Sequence, residues 1–254
     1  MTRLLLHGVA LQFKILSRSA FDLLNSVFWP LVFATIAYYL YRNGSTPRSL
    51  FTASLGATVM MMWASVGVGA SSALQWQRRL GTLELLVGAP APLLAILAPI
   101  TTSFAAIGIY SLLATLAWGR LLFGIPIHVV HPLTFVLSIP AAVASIGMLG
   151  LLVASVFVLY RAAGHLGNTL EYPMWLATGL LVPLSILPGW VTPLSWFLAP
   201  TWGMRALRTS ALGGDAWPAI GMCLLLSAAY VVLAAAFLGH FERVARERAS
   251  FALS

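Results

Sequence analysis

Six apolar runs take up most of this chain, and they leave it few folds. They cover about residues 20–41, 50–74, 93–118, 132–160, 169–187 and 216–240. At 1.5 Å per residue, each is long enough as a helix to cross a hydrocarbon core of about 30 Å. Only 8% of the 254 residues are charged and 60% are hydrophobic, with a mean hydropathy of +0.94. Soluble domains have about 25% charged residues, so this chain cannot cover a water-facing surface. The expectation is an all-α membrane protein: a single transmembrane domain over 1–254, with six transmembrane helices and no soluble catalytic domain.

The net charge of +8 does not mark a nucleic-acid partner. The basic residues stand at the ends of apolar runs, where the positive-inside rule uses them. With both termini cytoplasmic, nine lie inside: Arg3, Lys14, Arg18, Arg78, Arg79, Arg161, Arg243, Arg246 and Arg248. Five lie outside: Arg42, Arg48, Arg120, Arg205 and Arg208. That asymmetry sets the expected orientation in the cell (inner) membrane.

Residues 2–18 read as an amphipathic helix lying in the membrane interface. On a helical wheel Arg3, His7, Lys14 and Arg18 fall within about 60° of one another, and Leu5, Leu6, Val9, Phe13 and Leu16 take the opposite arc. The basic arc would face the lipid headgroups.

The segment 179–215 is apolar yet broken by Pro183, Pro188, Pro193 and Pro200, a density no straight helix accommodates. It reads as a re-entrant helical hairpin over 188–215, its irregular backbone shielded by protein. Trp190, Trp196 and Trp202 would sit at the outer interface. In span two, Ala53, Ala57, Ser65, Gly69 and Ala73 recur at multiples of four and form a stripe suited to close helix packing. Beyond span six, Glu242 and Arg246, like Arg243 and Glu247, stand four apart, which suits a short solvated helical tail.

Several chemistries are missing. A phosphate-cradling loop needs glycines followed by Gly-Lys-Ser/Thr, and the lone lysine, Lys14, follows Phe13. The chain is therefore not expected to be an enzyme or to bind a cofactor. His128 and His131 lack a third metal ligand, and Cys223, the single cysteine, excludes an intrachain disulfide. An ion-coupled carrier would want acidic residues at the midplane. Asp22 and Glu171 lie near span ends instead, where Glu171 can pair with Arg161. An intramembrane hydrolase would want a serine–histidine pair, but Ser71 has only His165 and His240 at or beyond span ends.

One charged segment separates spans two and three: Gln75-Trp76-Gln77-Arg78-Arg79-Leu80-Gly81-Thr82-Leu83-Glu84-Leu85-Leu86, closed by Pro90 and Pro92. A short charged helix here is what a membrane domain needs if a soluble partner is to push on it. Arg79-Leu80-Gly81-Thr82-Leu83-Glu84 with Pro90 resembles the first intracellular loop of the ABC-2 type transporter permeases. A second match runs from Gly179 and Pro183 through Leu187-Pro188-Gly189-Trp190 to Ala199-Pro200-Thr201, with Arg205 and Arg208. The stretch Leu181-Val182-Pro183-Leu184-Ser185 departs from the family, many members of which carry a glycine and an aromatic nearer that proline.

The resemblance implies that residues 75–90 form a coupling helix. Trp76, Arg78, Arg79, Gly81, Thr82 and Glu84 would meet an ATP-binding subunit. It further implies two such subunits carrying ATP and magnesium, and a second permease subunit in a homo- or heterodimer. The external hairpin, with Pro183, Pro188, Trp190 and Pro200, would line the exit. Phe33, Tyr38, Met61 and Trp63 supply soft aromatic surface on spans one and two. Such surface suits a hydrophobic or amphipathic cargo, as in multidrug efflux or natural-product export. Export of a lipid-linked glycan is the alternative within the class.

Overall fold

The computed structural model describes residues 2–41, 51, 54–60, 62–66, 92–124, 129–159, 166–179 and 188–252. Every regular element among them is helical. In chain order these are α1 (Thr2–Arg18), α2 (Ala20–Tyr41), α3 (Leu93–Phe123), α4 (Pro132–Leu159), α5 (Leu166–Ala177), α6 (Val191–Trp196), α7 (Ala199–Leu212) and α8 (Trp217–Ala252). Residues 54–60 and 62–66, in span two, are also helical.

Hydropathy located the long helices well. Leu93–Phe123, Pro132–Val156 and Trp217–Arg243 are long and apolar enough to cross a membrane, and α2 matches the expected first span. Span five does not run to 187 as one helix: α5 ends at Ala177. Thr178 and Gly179 form a turn there, with Gly179 at φ 70°. That left-handed backbone is one a glycine adopts without a Cβ penalty, and it stops the helix. Asp215 starts α8, its Oδ1 accepting the Trp217 N–H at 3.0 Å, a cap that satisfies an otherwise orphaned donor.

α4 is the centre of the bundle. It packs on α3 to one side and on α7 and α8 to the other, while α1 and α2 lie along α3. These two helices use successive lengths of α3. Gly8 lies against Pro99, and Ser103 Oγ donates to the Val9 carbonyl at 3.1 Å. Phe13 stacks with Tyr110 at 6.0 Å. Further along, Ser111 Oγ donates to the Ser26 carbonyl and Trp118 Nε1 to Thr35 Oγ1 at 3.1 Å. Tyr38 stacks on Phe123 with ring centroids 4.0 Å apart.

The close approaches are made where one side has no side chain. A Cβ on Gly147 would stand 3.1 Å from Thr102 Cα, and one on Gly203 would stand 3.1 Å from Ala142 Cα. Span two enters the same way. Met62 fills the space beside Gly108, and Val66 fills the space beside Gly150. In hydrocarbon, where burial gives helices little reason to associate, such small-residue contacts supply the van der Waals attraction that does. These span-two contacts are made by Met62 and Val66. Of the expected small stripe, Ala57 and Ser65 are described, Ala53, Gly69 and Ala73 lie outside the described residues, and the receiving glycines are on α3 and α4.

Gly147→Leu is expected to destabilise the bundle by about 1–3 kcal/mol, the usual range for overpacking, because backbone faces it. Gly221→Leu, with nothing within 4 Å of the added Cβ, is expected to leave the melting midpoint unchanged. Thermal unfolding of both variants in the same detergent checks this.

Candidate functional site

The proline-rich segment before the last span folds as two helices meeting at a sharp turn. α6 is short. After it, Phe197 and Leu198 donate their N–H groups back to Leu194 and Ser195. α7 then opens with Pro200 in its first turn, a place where the missing N–H removes no helical hydrogen bond. Two backbone groups at this turn find their partner in a distant side chain. The Tyr230 hydroxyl donates to the Phe197 carbonyl at 2.5 Å and accepts the Ala199 N–H at 3.1 Å. Tyr230 lies about 13 residues inside α8, roughly 20 Å along it at 1.5 Å per residue.

α7 runs back along α4. Gly203 meets Ala142 and Ser145, and at the far end the Val130 and His131 N–H groups donate to the Ala211 and Ser210 carbonyls at 3.2 and 3.1 Å. Cys223 on α8 closes the third side, its Sγ 3.3 Å from the Ala141 carbonyl oxygen. Gly213, at φ 92°, ends α7 and turns the chain into α8.

Between the end of α5, α6 and the outward face of α7 lies a cavity of about 250 Å³, lined by Thr178, Ser195, Trp196, Thr201, Trp202, Arg205 and Arg208 among others. The Arg205 guanidinium sits 5.3 Å from the Trp202 ring centroid. Trp202 donates its Nε1–H to the Trp196 carbonyl at 2.9 Å and meets the Trp196 ring edge-on at 6.1 Å. Arg208 Nη2 donates to the Gly179 carbonyl at 3.4 Å. No Asp or Glu lines the cavity among the described residues. It is therefore a cationic, aromatic recess able to accept negative charge.

The expected site residues fall in separate places. The coupling residues Trp76, Arg78, Arg79, Gly81, Thr82 and Glu84 lie outside the described residues, as do Met61, Pro183 and His128 and the side chain of Arg3. On α1, His7, Lys14 and Arg18 are exposed, whereas Val9 and Phe13 face α3 and Leu16 is buried. Leu6 is not part of the buried arc. It is 67% exposed, and with Leu11 and Ile15 it flanks the basic strip. Phe33, Tyr38 and Trp63 belong to one apolar cluster with Met60, Met62 and Trp175. Trp63 is buried inside it, and Phe33 meets Trp175 edge-on at 5.8 Å. Pro188 and Trp190 are exposed and Pro200 is buried.

Two residues escaped the sequence reading. Tyr230 is a single polar atom in an apolar run, and nothing in its neighbours points to a turn 33 residues away. Glu242, read as part of a solvated tail, accepts the Leu93 N–H at 2.5 Å through Oε1. It caps α3, whose N-cap position is Pro92 and has no capping side chain of its own. The signal was there: a carboxylate at the end of one span, and a helix starting after prolines with no Ser, Thr, Asp or Asn to cap it.

Tyr230→Phe removes both hydrogen bonds to the turn while leaving the ring. Stranding a buried donor and acceptor is expected to lower stability by about 1–3 kcal/mol and to raise amide exchange at 197–199. Hydrogen-exchange mass spectrometry of the full chain in lipid nanodiscs reads this out.

A search of the curated proteins finds no match to this sequence. The family model for the ABC-2 type transporter matches residues 4–212, from α1 to the end of α7. With most of its length covered by that match and a bundle of membrane-crossing helices to go with it, this chain belongs to the ABC-2 type transporter family.

Proposed function

We propose that this chain is the permease subunit of an ATP-driven exporter in the cell membrane, paired with a second permease and driven by two ATP-binding subunits. The carrying observation is the charged segment 75–90 in a family member whose sequence holds no phosphate-binding loop. ATP and magnesium belong to the partner. Trp76, Arg78, Arg79, Gly81, Thr82 and Glu84 form the docking face, and the termini and this segment share the cytoplasmic side. The cargo is a hydrophobic or amphipathic small molecule, to which the partly exposed Phe33 and Tyr38 on α2 offer soft aromatic surface.

The packing supports a route for the push. Segment 75–90 leads directly into α3 at Leu93. Leu93 is held by Glu242 and packs in a cluster with Leu97, Leu151, Ala154, Ala234 and Leu238, so α3, α4 and α8 meet there. A displacement of that end loads α8, and α8 holds the α6–α7 turn through Tyr230. Segment 188–215 then acts as the re-entrant external gate, its turn reaching about 20 Å along α8 at 1.5 Å per residue. The basic strip of α1, flanked by exposed Leu6, Leu11 and Ile15, lies in the inner interface, where cations meet headgroups and leucines meet acyl chains.

Arg79→Ala and Glu84→Ala are each expected to reduce cargo-stimulated ATP hydrolysis of the reconstituted complex by roughly tenfold, the scale set by truncating one partner of a docked charge pair, with membrane insertion and melting unchanged. Wild-type stimulation in both variants contradicts the docking assignment.

A further inference from the structure

We propose that the recess between α5, α6 and α7 is a binding site for the anionic head of an amphiphile, a phosphate or carboxylate, whose apolar body lies over Trp196 and Phe197. The argument begins with position. α7 runs beside α4 from the Ser145 level to the start of that helix, and Arg205 and Arg208 are on its outer two turns. Two guanidinium groups one helical turn apart therefore stand next to a membrane-crossing helix. Arg205 is exposed at the recess, and Arg208 beside it donates to the Gly179 carbonyl.

Charge comes next. The whole chain has six acidic residues, and none of those described lines the recess. Arg208 already has a partner in the Gly179 carbonyl, so the cation a bound anion would meet is Arg205. A polar group is also available beside the arginines. Thr201 Oγ1 is buried and lines the recess with no hydrogen-bond partner among the described residues. Its hydroxyl can donate to a phosphate or carboxylate oxygen. Trp202, held by its bond to the Trp196 carbonyl, fixes Arg205 over its ring face, so the cation is oriented before any ligand arrives.

The rim supplies the other half of the recognition. Trp196, which lines the recess, is 57% exposed, and Phe197, next to it in the chain, is 71% exposed. A free inorganic anion has no use for that surface, but an amphiphile does. Both a phospholipid of the adjacent leaflet and a passing anionic cargo have this chemistry. The site stands on the recess alone, independent of how the chain is energised.

The test is a native mass spectrometry titration of the purified full-length chain in mild detergent with dioleoyl phosphatidylglycerol, against dioleoyl phosphatidylcholine, with dodecyl phosphate and inorganic phosphate as competitors. The wild type is expected to prefer the phosphatidylglycerol and to release it to dodecyl phosphate but not to inorganic phosphate. Arg205→Gln, at an exposed side chain, is expected to weaken binding roughly tenfold, as the loss of one charge-assisted hydrogen bond implies. Thr201→Val, nearly isosteric, is expected to weaken it severalfold, and Arg120→Gln, distant from the recess on α3, to leave it unchanged. Phosphatidylglycerol carried through purification identifies a resident lipid. A recess that fills only when dodecyl phosphate is added identifies a cargo position. Wild-type affinity in both Arg205→Gln and Thr201→Val overturns the proposal, as does an equal loss in Arg120→Gln or displacement by inorganic phosphate alone. No ATPase is present in this measurement, so its failure would leave the exporter reading standing.

Discussion

A turn between two helices leaves backbone groups without helical partners, and Tyr230 provides them for the α6–α7 turn. Its hydroxyl takes the Ala199 N–H and gives its proton to the Phe197 carbonyl. Without it, a donor and an acceptor at a proline-flanked break would lose that partner, at a cost of about 1–3 kcal/mol. The rest of the hairpin depends on this anchor. α7 can lie along α4 because its first turn is fixed, and the recess beside α5 exists because Trp196 and Trp202 are held in register.

The same constraint explains what the sequence made readable. α2, α3, α4 and α8 could be read directly because apolar length is the quantity a bilayer selects for. Their ends carried local punctuation: Pro92, Gly124, Pro132, Gly213 and Asp215. The break at Gly179 was harder to see, since a positive φ is a property of the backbone and a glycine in an apolar run reads equally well as a packing residue. The sequence pointed to small residues on span two, whereas the contacts described there are made by Met62 and Val66 against Gly108 and Gly150, which it did not single out. A glycine in the sequence shows where space is open without naming the side chain that fills it.

The functional residues divide along the same line. The charged segment 75–90 stood out because charge between two spans is locally anomalous. Arg205 and Arg208 entered the reading as charges outside the membrane and as part of the second family match. Their common recess depends on α5, α6 and α7 coming together. Glu242 and Leu93 are 149 residues apart, so no local pattern links them, yet that contact joins the end of the charged segment to the last span. Through Glu242 and Tyr230, the Leu93 end and the α6–α7 turn are both tied to α8, the helix along which the proposed push would travel.

The central claim is that this chain is driven by an ATPase it does not itself contain. The most direct measurement is purification of the tagged full-length chain from its native membrane in mild detergent, with quantification of co-purifying proteins and of ATP hydrolysis. The account predicts a second chain carrying a phosphate-binding loop, present in equal number and responsible for all the hydrolysis. A chain that purifies alone under several mild detergents, and still moves its cargo when reconstituted by itself, would contradict it.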